Sequence, residues 1–235
     1  MYKLANFLII FLIGVYSSFL INSGNIGLYI NPRYFQLSEF ASIVCLFVGA
    51  LGLIYHLKNF QFRIRFSLKE FKNIFNSYFF VIIFFVFAFG FAPKTLSSNI
   101  ASSRSTENGF FQENFDSIFD TFKKTDESFN INDWVSEIAK SGDIYSFEGR
   151  KVDVVGFVFR DNTKSDEFRV GRFIIRCCIV DATPISLLVK SDKAQNFEDN
   201  SWVRVRGTFI VEDEILKVQA GEIEKVEKPD SPYYY

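Results

Sequence analysis

The chain has little of the material from which catalytic, redox or metal sites are usually built. Its 235 residues include only three cysteines, one histidine and one methionine. Three cysteines cannot form a framework of disulfides, and two of them, Cys177 and Cys178, are adjacent. The single histidine, His56, belongs to the first half of the chain, so a serine or cysteine nucleophile in the second half has no imidazole base there. No phosphate loop or dinucleotide fingerprint appears either, and we expect neither enzymatic activity nor a bound cofactor.

Acidic residues are almost absent from the first 93 residues. That part holds seven Lys or Arg against Glu39 and Glu70, a net charge of +5. Residues 94–235 hold 19 basic and 25 acidic residues, a net charge of −6. Nucleic-acid phosphates are bound by an excess of Lys and Arg, so this acidic part does not suit a nucleic-acid partner. The division predicts an apolar, basic region followed by a polar, acidic domain.

Three long apolar runs fill the first part of the chain, residues 1–93. They cover residues 4–21, 40–57 and 74–92, and each has about the length that an α-helix needs to cross the bilayer core. The first run is longer than the apolar core of a signal peptide, and no small-x-small cleavage site follows it. We therefore expect an uncleaved anchor and a transmembrane region of about three helices in the lipid bilayer.

These runs lack the groups that a transport pathway normally needs. None carries Asp, Lys or Arg near its centre, whereas substrates and ions usually meet charged groups or broken helices at mid-membrane. Small residues in the second run, Cys45, Gly49 and Gly52, instead favour the close approach of a neighbouring helix. We expect that this chain does not conduct a substrate alone.

Basic residues predict the orientation of the chain in the membrane. The loop of residues 58–72 holds five Lys or Arg against one acid, whereas the loop between the first two runs holds Arg33 alone. Positively charged loops stay in the cytoplasm, which places residues 58–72 inside. Three spans then put the N-terminus, with Lys3, in the cytoplasm. We expect a cell (plasma) membrane protein whose C-terminal domain is extracytoplasmic.

Residues 94–132 are predicted to connect the membrane region to that domain. Residues 94–109 are rich in serine and poor in apolar residues, which indicates a flexible linker. Phe111, Phe115, Ile118, Phe119 and Phe122 then follow at helical spacing, with charged residues between them. This amphipathic helix would pack on its own domain or, alternatively, on the membrane surface or a partner.

Residues 133–235 have the pattern of an all-β domain. A short helix is predicted to begin at an Asn132 cap, and the predicted strands cover residues 151–159, 173–180, 185–189, 203–210 and 215–219. Gly156 and Gly207 interrupt the first and fourth strands, as the bends of a small barrel require. With a helical turn at 193–197, the pattern predicts a five-stranded Greek-key barrel of the OB type.

The adjacent cysteines are the most distinctive pair in this domain. If Cys177 and Cys178 lie on the predicted strand 173–180, they point to opposite faces and cannot easily share a metal ion. We then expect one in the core and one under a cover, and alternatively a soft-metal or redox role or pairing with a partner.

Four acidic residues are candidates for acid–base chemistry. These residues are predicted to surround the mouth of the barrel: Asp161, Asp166, Glu167 and Asp181. They are interpreted as solvated loop residues.

Several short motifs accompany this pattern. Their residues are Gly156, Arg160, Asp161, Arg172, Phe173, Cys177, Cys178, Asp181, Ala182, Trp202, Gly207, Pro229, Pro232 and Tyr233. With the Ile30-Asn31-Pro32-Arg33 turn between two spans, they make the chain resemble the YcgQ-like family, uncharacterised bacterial proteins regarded as subunits of a two-component membrane permease. The chain departs from that family at Arg176, where Thr or Val is usual, and at Val180, where Ala is usual. The resemblance implies a partner, a separate and larger multi-span permease protein, and it implies no particular small-molecule or ion substrate.

Three hypotheses for the function follow. The leading one is a non-enzymatic accessory subunit of a membrane transport complex, with spans that dock on the permease and an external OB-like domain. The second is a stand-alone membrane-anchored module that binds a ligand or an envelope partner outside the cytoplasm. The third is a thiol-dependent redox or metal-handling protein that uses Cys177 or Cys178.

The orientation can be tested with reporter fusions. A reporter that is active only outside the cytoplasm should be active when it is fused after Tyr235 and inactive when it is fused at Ser67, because the basic loop of residues 58–72 stays inside. Enzyme activity in intact cells measures both fusions, and immunoblotting controls for their amounts. The reverse pattern would show that the orientation is wrong.

Overall fold

The computed structural model describes residues 2–58, 78–79, 81, 83, 85–88, 90, 93–107, 129–161 and 163–235. The chain divides into two compact units, Met1–Lys94 and Thr95–Tyr235. The first unit contains α1 (Tyr2–Asn22) and α2 (Phe35–Lys58). The second contains α3 (Ser98–Glu107), α4 (Ile131–Ser141), β1 (Lys151–Phe159), β2 (Glu167–Ile174), β3 (Thr183–Lys190), β4 (Trp202–Glu212), β5 (Ile215–Lys225) and β6 (Tyr233–Tyr234).

Two helices of the first unit are long and apolar enough to cross a membrane. They cover Ala5–Asn22 and Pro32–Lys58, and two short 3-10 turns join them. The third predicted span, residues 74–92, lies largely outside the described residues, and its described positions are helical. The basic loop after α2 and the predicted amphipathic helix of residues 111–122 also lie outside the described part of the chain.

Small residues bring α1 and α2 into close contact. A side chain at Gly49 would meet the backbone of Phe11 at 2.7 Å, and one at Gly14 would meet Leu46 at 2.9 Å. The Ser42 hydroxyl donates a hydrogen bond to the carbonyl of Gly14 at 3.0 Å, and it lies 2.7 Å from the hydroxyl of Ser18. The pair is therefore held by close packing and hydroxyl hydrogen bonds, which is how helices associate in lipid.

The second unit is a closed five-stranded β-barrel. The strands are ordered β1-β4-β5-β3-β2, and β2 pairs again with β1. The β3–β5 pair is parallel, while the β1–β2, β1–β4, β2–β3 and β4–β5 pairs are antiparallel. β6 adds to β2 in parallel, with Phe173 opposite Tyr233. Closure leaves the barrel without an unpaired edge between β1 and β2.

Helix α4 packs its apolar face into the barrel core. Asn130 caps the helix, since its side chain accepts hydrogen bonds from the N–H groups of Asn132 and Asp133. In return, the carboxylate of Asp133 accepts a hydrogen bond from the N–H of Asn130, which completes a capping box. Trp134 is fully buried, and its ring lies edge-on to Phe209 at a centroid distance of 5.0 Å. The predicted helix is therefore present, although its cap is Asn130 rather than Asn132.

Helix α3 occupies a segment that the sequence predicts to be a flexible linker. The prediction is wrong for Ser98–Glu107, which is helical and packs on β1 and β3. Ala101 is fully buried, and the N–H of Ser98 donates to the side-chain oxygen of Asn200 at 2.6 Å. Small Ser and Ala side chains allow this close packing without the apolar periodicity that usually reveals a buried helix.

The strand boundaries differ most at β2. The sequence predicts this strand at residues 173–180, but β2 covers Glu167–Ile174, and residues 175–182 form a loop. The apolar residues of that loop have the sequence pattern of a strand, whereas Arg169 and Arg172 interrupt the apolar pattern of the real strand. Long arginine side chains can bury their stems and still belong to a strand. β1 has the predicted bounds, and β3, β4 and β5 are longer than predicted.

A charged cluster built around a buried lysine lies at the start of β2. Lys217 is 1% exposed, and its ammonium group donates to the carboxylates of Glu167 and Glu212, both at 2.9 Å. Glu212 also accepts from Lys190 at 2.6 Å. These hydrogen bonds, first those from Lys190, lower the pKa of Glu212 to about 2. The charges compensate one another, which a buried lysine requires.

Glycine permits the close backbone approach that closes the barrel. An added side-chain carbon at Gly156 would lie 2.6 Å from the carbonyl oxygen of Gly171 and 2.9 Å from Ile131. At Gly207 it would meet the carbonyl of Gln219, beside a register shift between Arg206 and Gly207. The interruptions that the sequence shows in β1 and β4 are therefore steric requirements.

Substitution of these glycines should destabilise the barrel. We expect Gly156→Ala and Gly207→Ala each to lower the free energy of unfolding by about 1–3 kcal/mol, because the new carbon clashes with rigid backbone. The two tryptophans of the chain, Trp134 and Trp202, both belong to the barrel unit, so their fluorescence follows its unfolding by urea in the full chain.

Gly221→Ala is the matched control for these variants. An added carbon at Gly221 meets its nearest atom, the carbonyl oxygen of Arg206, at 3.7 Å. Its unfolding free energy should stay within about 0.5 kcal/mol of the parent protein. Equal effects of all three substitutions would contradict the steric explanation.

Candidate functional site

The loop of residues 175–182 carries both cysteines of the second unit. It joins the end of β2 to the start of β3 and contains a 3-10 turn, Ile179–Asp181. Its first N–H, that of Ile175, donates to the carbonyl of Tyr234 at 2.9 Å, and the N–H of Asp181 donates to the carbonyl of Cys178 at 3.0 Å. At its other end, the carbonyl of Ala182 accepts a hydrogen bond from Arg104 of α3. The loop is thus tied to β6 and to α3, and it also has a hydrogen bond of its own.

Asp181 organises this loop through its carboxylate. The two oxygens accept hydrogen bonds from the N–H of Arg176 at 3.2 Å and from the N–H of Cys177 at 2.7 Å. Partial burial opposes ionisation, but the hydrogen bonds from the thiol of Cys177 and from the loop N–H groups prevail and lower the pKa of Asp181. The carboxylate is therefore negatively charged at neutral pH, next to Cys177.

The two sulfur atoms lie on the same side of the loop. Cys177 is exposed, Cys178 is half-buried, and both thiols are free. Their Sγ atoms are 3.6 Å apart. The expectation that one cysteine faces the core and the other a cover is wrong, because the segment is not a strand and its side chains do not alternate between two faces.

The protonation state of Cys177 bears on the hypothesis of a thiol enzyme. Hydrogen bonding, first to Asp181 and then to Cys178, raises the pKa of the Cys177 thiol to about 11. A nucleophilic thiol needs a lowered pKa, since the thiolate is the reactive form. The geometry therefore does not favour covalent catalysis by Cys177.

Asp181 lies apart from the other acidic residues that the sequence places around the barrel mouth. Glu167 starts β2 and is paired with buried Lys217, whereas Asp181 lies beyond the other end of the same eight-residue strand. At about 3.3 Å per residue, the strand separates them by roughly 25 Å. Among the described residues, no group of three or more His, Cys, Asp or Glu is arranged to hold a metal ion.

Arg172 connects three of the sequence motifs. Its guanidinium carbon lies 5.2 Å from the ring centroid of Trp202 and 5.0 Å from that of Tyr234. This arrangement is a cation–π contact on two rings. Next to it, Phe173 packs edge-on against Tyr233, whose hydroxyl accepts a hydrogen bond from the N–H of Leu96 at 2.7 Å. The Arg-Phe, Trp-Val and Pro-Tyr motifs therefore converge because they build one structural cluster.

The remaining motif residues have structural contacts. Arg160 donates to Asp199 at 2.6 Å and to the carbonyls of Ala194 and Phe197, which fixes the 3-10 turn before β4. Asp161 lies in the loop after β1, Pro232 is buried beside β6, and Pro229 is half-buried in the segment before it. These contacts explain the motifs without a catalytic role.

A small cleft lies beside this aromatic cluster. Its cavity volume is about 30 Å³, and the residues that line it are Thr95, Leu96, Phe157, Asn200, Trp202, Pro232 and Tyr233. That volume holds little more than one water molecule. The cleft is therefore too small for an organic ligand in this conformation.

Two features of this region were not anticipated from the sequence. One is β6, whose two residues are too few to give a periodic pattern, although the tyrosine-rich run Tyr233-Tyr234-Tyr235 has the composition of a strand. The other is the buried Lys217, which sequence alone would place on the surface.

The fold defines a class of protein: two apolar N-terminal helices, suited to membrane anchoring, joined to a five-stranded β-barrel domain. Comparison with known families agrees with this layout. Residues 5–107 match the DUF1980 N-terminal domain, and residues 113–235 match the DUF1980 C-terminal domain. The chain belongs to the DUF1980 family.

Similarity to individual proteins is more limited. The chain is 29% identical over 96 residues to "UPF0703 protein YcgQ" of Bacillus subtilis (strain 168), a match that covers 38% of this chain and 34% of that protein. The alignment thus spans about a third of the curated relative. This match and the two domains support the YcgQ-like family that the motifs predict.

Solved structures add little to this comparison. Two crystal structures of asparaginyl-tRNA synthetase from Pyrococcus horikoshii, one of them complexed with asparaginyl-adenylate, each match with 20% identity. Each match covers 37% of this chain and 23% of the synthetase, with a TM-score of 0.24. Likeness at this level carries no functional argument.

The hydrogen bond between Cys177 and Asp181 can be tested through thiol reactivity. Asp181→Asn should return the pKa of Cys177 towards the ordinary range of a thiol, since the hydrogen bond to the Asp181 carboxylate is the main reason why this pKa is raised. Alkylation of Cys177 near neutral pH should then be about tenfold faster, because the gain in thiolate outweighs the accompanying loss of nucleophilicity.

Rates of alkylation by a membrane-impermeant maleimide, resolved by tandem mass spectrometry in a Cys45→Ser background, measure this effect. Asp166→Asn, at the opposite end of β2, is the control and should leave the rate unchanged. Equal rates for the parent and Asp181→Asn proteins would show that the carboxylate does not hold the proton of Cys177.

Proposed function

We propose that this chain is a non-enzymatic accessory subunit of a two-component membrane permease. Its helices would dock on a separate multi-span protein, and its barrel domain would lie outside the cytoplasm. The resemblance of the sequence to YcgQ-like proteins supports the partner. The observation that carries the proposal is the way in which α1 and α2 pack, since it leaves no pathway within the pair.

The contact between α1 and α2 has no room for a transported substrate. Gly14, Gly49 and Gly52 let the two helices touch backbone to side chain, and Ser18 and Ser42 use their hydroxyls within the contact. Residues 5–22 and 40–55 include no Asp, Glu, Lys, Arg or His. A conduction pathway needs polar groups around a cavity, so transport would require another protein.

The outer face of α2 offers a surface for that protein. A row of large apolar side chains is between 49% and 66% exposed within this chain: Phe40, Ile43, Phe47, Leu51 and Ile54. Their spacing of three and four residues places them on one face of the helix. In a bilayer this face meets lipid or another helix, and we assign it to the permease.

The barrel domain is proposed to be of the OB type and extracytoplasmic. Five strands closed in the order β1-β4-β5-β3-β2, with a 3-10 turn between β3 and β4, support an OB-like Greek key. The basic residues 58–72 support the orientation. Outside the cytoplasm, the domain would organise the complex or meet its substrate.

The absence of enzymatic activity is part of the proposal. It is supported by the separation of Glu167 and Asp181 at opposite ends of β2 and by the protonated thiol of Cys177. A general acid and base must lie within reach of the same reacting group, and Glu167 and Asp181 lie too far apart for that.

The partner can be tested by capture of the full chain from membranes in a mild detergent. A multi-span membrane protein should co-purify, and reciprocal capture through that protein should return this chain. Phe47→Ala with Ile54→Ala should lower the amount captured several-fold, since these side chains lie on the proposed docking face of α2.

Leu8→Ala with Phe19→Ala, on the exposed surface of α1, is the matched control and should leave capture unchanged. Equal membrane insertion of all variants is measured by carbonate extraction. The proposal would be abandoned if no multi-span protein is captured, or if both pairs of substitutions have the same effect.

A further inference from the structure

We propose that Cys177 and Cys178 together chelate one thiophilic divalent cation, such as Zn²⁺ or Cd²⁺. The sequence alone argues against a shared ion, because adjacent residues on a strand point apart. The structure removes that objection, since the two residues lie in a loop and their sulfur atoms are 3.6 Å apart. The inference concerns this chain alone and does not depend on the proposed partner.

The distance between the sulfurs suits a tetrahedral ion. Zinc binds thiolate sulfur at about 2.3 Å, so two sulfurs at the observed separation of 3.6 Å would subtend about 103° at the metal. That angle is close to the tetrahedral value. A linear two-coordinate ion would need the sulfurs about 4.6 Å apart at the same bond length, so the geometry favours Zn²⁺ and Cd²⁺ over ions that bind two thiolates in line.

The loop is already shaped before an ion binds. The carboxylate of Asp181 fixes the N–H groups of Arg176 and Cys177, and Ile175 is tied to Tyr234 at 2.9 Å. Binding would therefore order little additional chain, which lowers its entropic cost.

The exchange is balanced without an oxidant or reductant. Two S–H bonds break, two bonds between sulfur and metal form, and two protons pass to solvent, so no electron is transferred. The pair supplies two ligands, and no group of three potential ligands is present among the described residues. Two of the four tetrahedral positions are thus left for water or for donors from another molecule, as in a site that exchanges its ion.

The experiment is a titration of the reduced full chain in detergent with Cd²⁺ alone, under anaerobic conditions. Thiolate-to-cadmium charge-transfer absorbance should rise to a plateau at one ion per chain. Cys177→Ser and Cys178→Ser should each weaken binding at least tenfold, because each removes one of the two sulfur ligands. An excess of Zn²⁺, which binds thiolates more weakly than Cd²⁺, should compete for the site and reduce the band.

Cys45→Ser is the matched control, because Cys45 is the third cysteine and lies in α2. It should leave the affinity and the plateau unchanged, while tryptophan fluorescence reports that all variants keep the folded barrel. The site would be disproved if the parent protein shows no band, or if the band survives in the Cys177→Ser/Cys178→Ser protein. Neither result depends on capture of the permease, so the two proposals fail separately.

Discussion

The other features of the barrel domain depend on the close approach of two backbone segments at Gly156 and Gly171, where neither residue has a side chain. β1 must pair with β2 and β4 at once, and a side-chain carbon at Gly156 would lie 2.6 Å from the carbonyl oxygen of Gly171. The same approach places Ile131 of α4 under β1, so the helix can fill the core. The cysteine loop begins at the end of β2, and β6 lies alongside that strand.

The charged residues of the barrel mainly form ion pairs between strands. Asp153 pairs with Arg204 at 2.7 Å across β1 and β4, and buried Lys217 is shared between Glu167 and Glu212. Partnered charges of this kind hold neighbouring strands in register, but they are not poised to exchange protons near neutral pH. The ion pairs of Glu212 make the stability of the barrel depend on pH. Because the pKa of Glu212 is lowered, its contribution to stability is present above the ordinary pKa of a glutamate and is lost as the pH falls towards 2.

Sequence reasoning succeeded where one pattern dominates and failed where two patterns compete. β1 has its predicted bounds because alternating valines and a glycine have one interpretation. At β2, an apolar run that ends at Val180 resembles a strand better than the real one, which carries Arg169 and Arg172. Only the fold shows that Arg172 lies over aromatic rings contributed by residues 30 and 62 positions later. Such contacts have no local signature, and neither does the separation of the two sulfurs.

The side chains of Arg176 and Val180 take no part in shaping the cysteine loop. Arg176 takes part through its backbone N–H, which donates to Asp181, and its side chain is exposed. Val180 is 79% exposed. Neither side chain is needed to shape the loop, so these positions can vary while Cys177, Cys178 and Asp181 keep their geometry. A loop that fixes its backbone with one carboxylate, and leaves two sulfurs near the surface, is suited to contact with an ion or another molecule. The paired charges elsewhere on the described barrel instead hold its strands together.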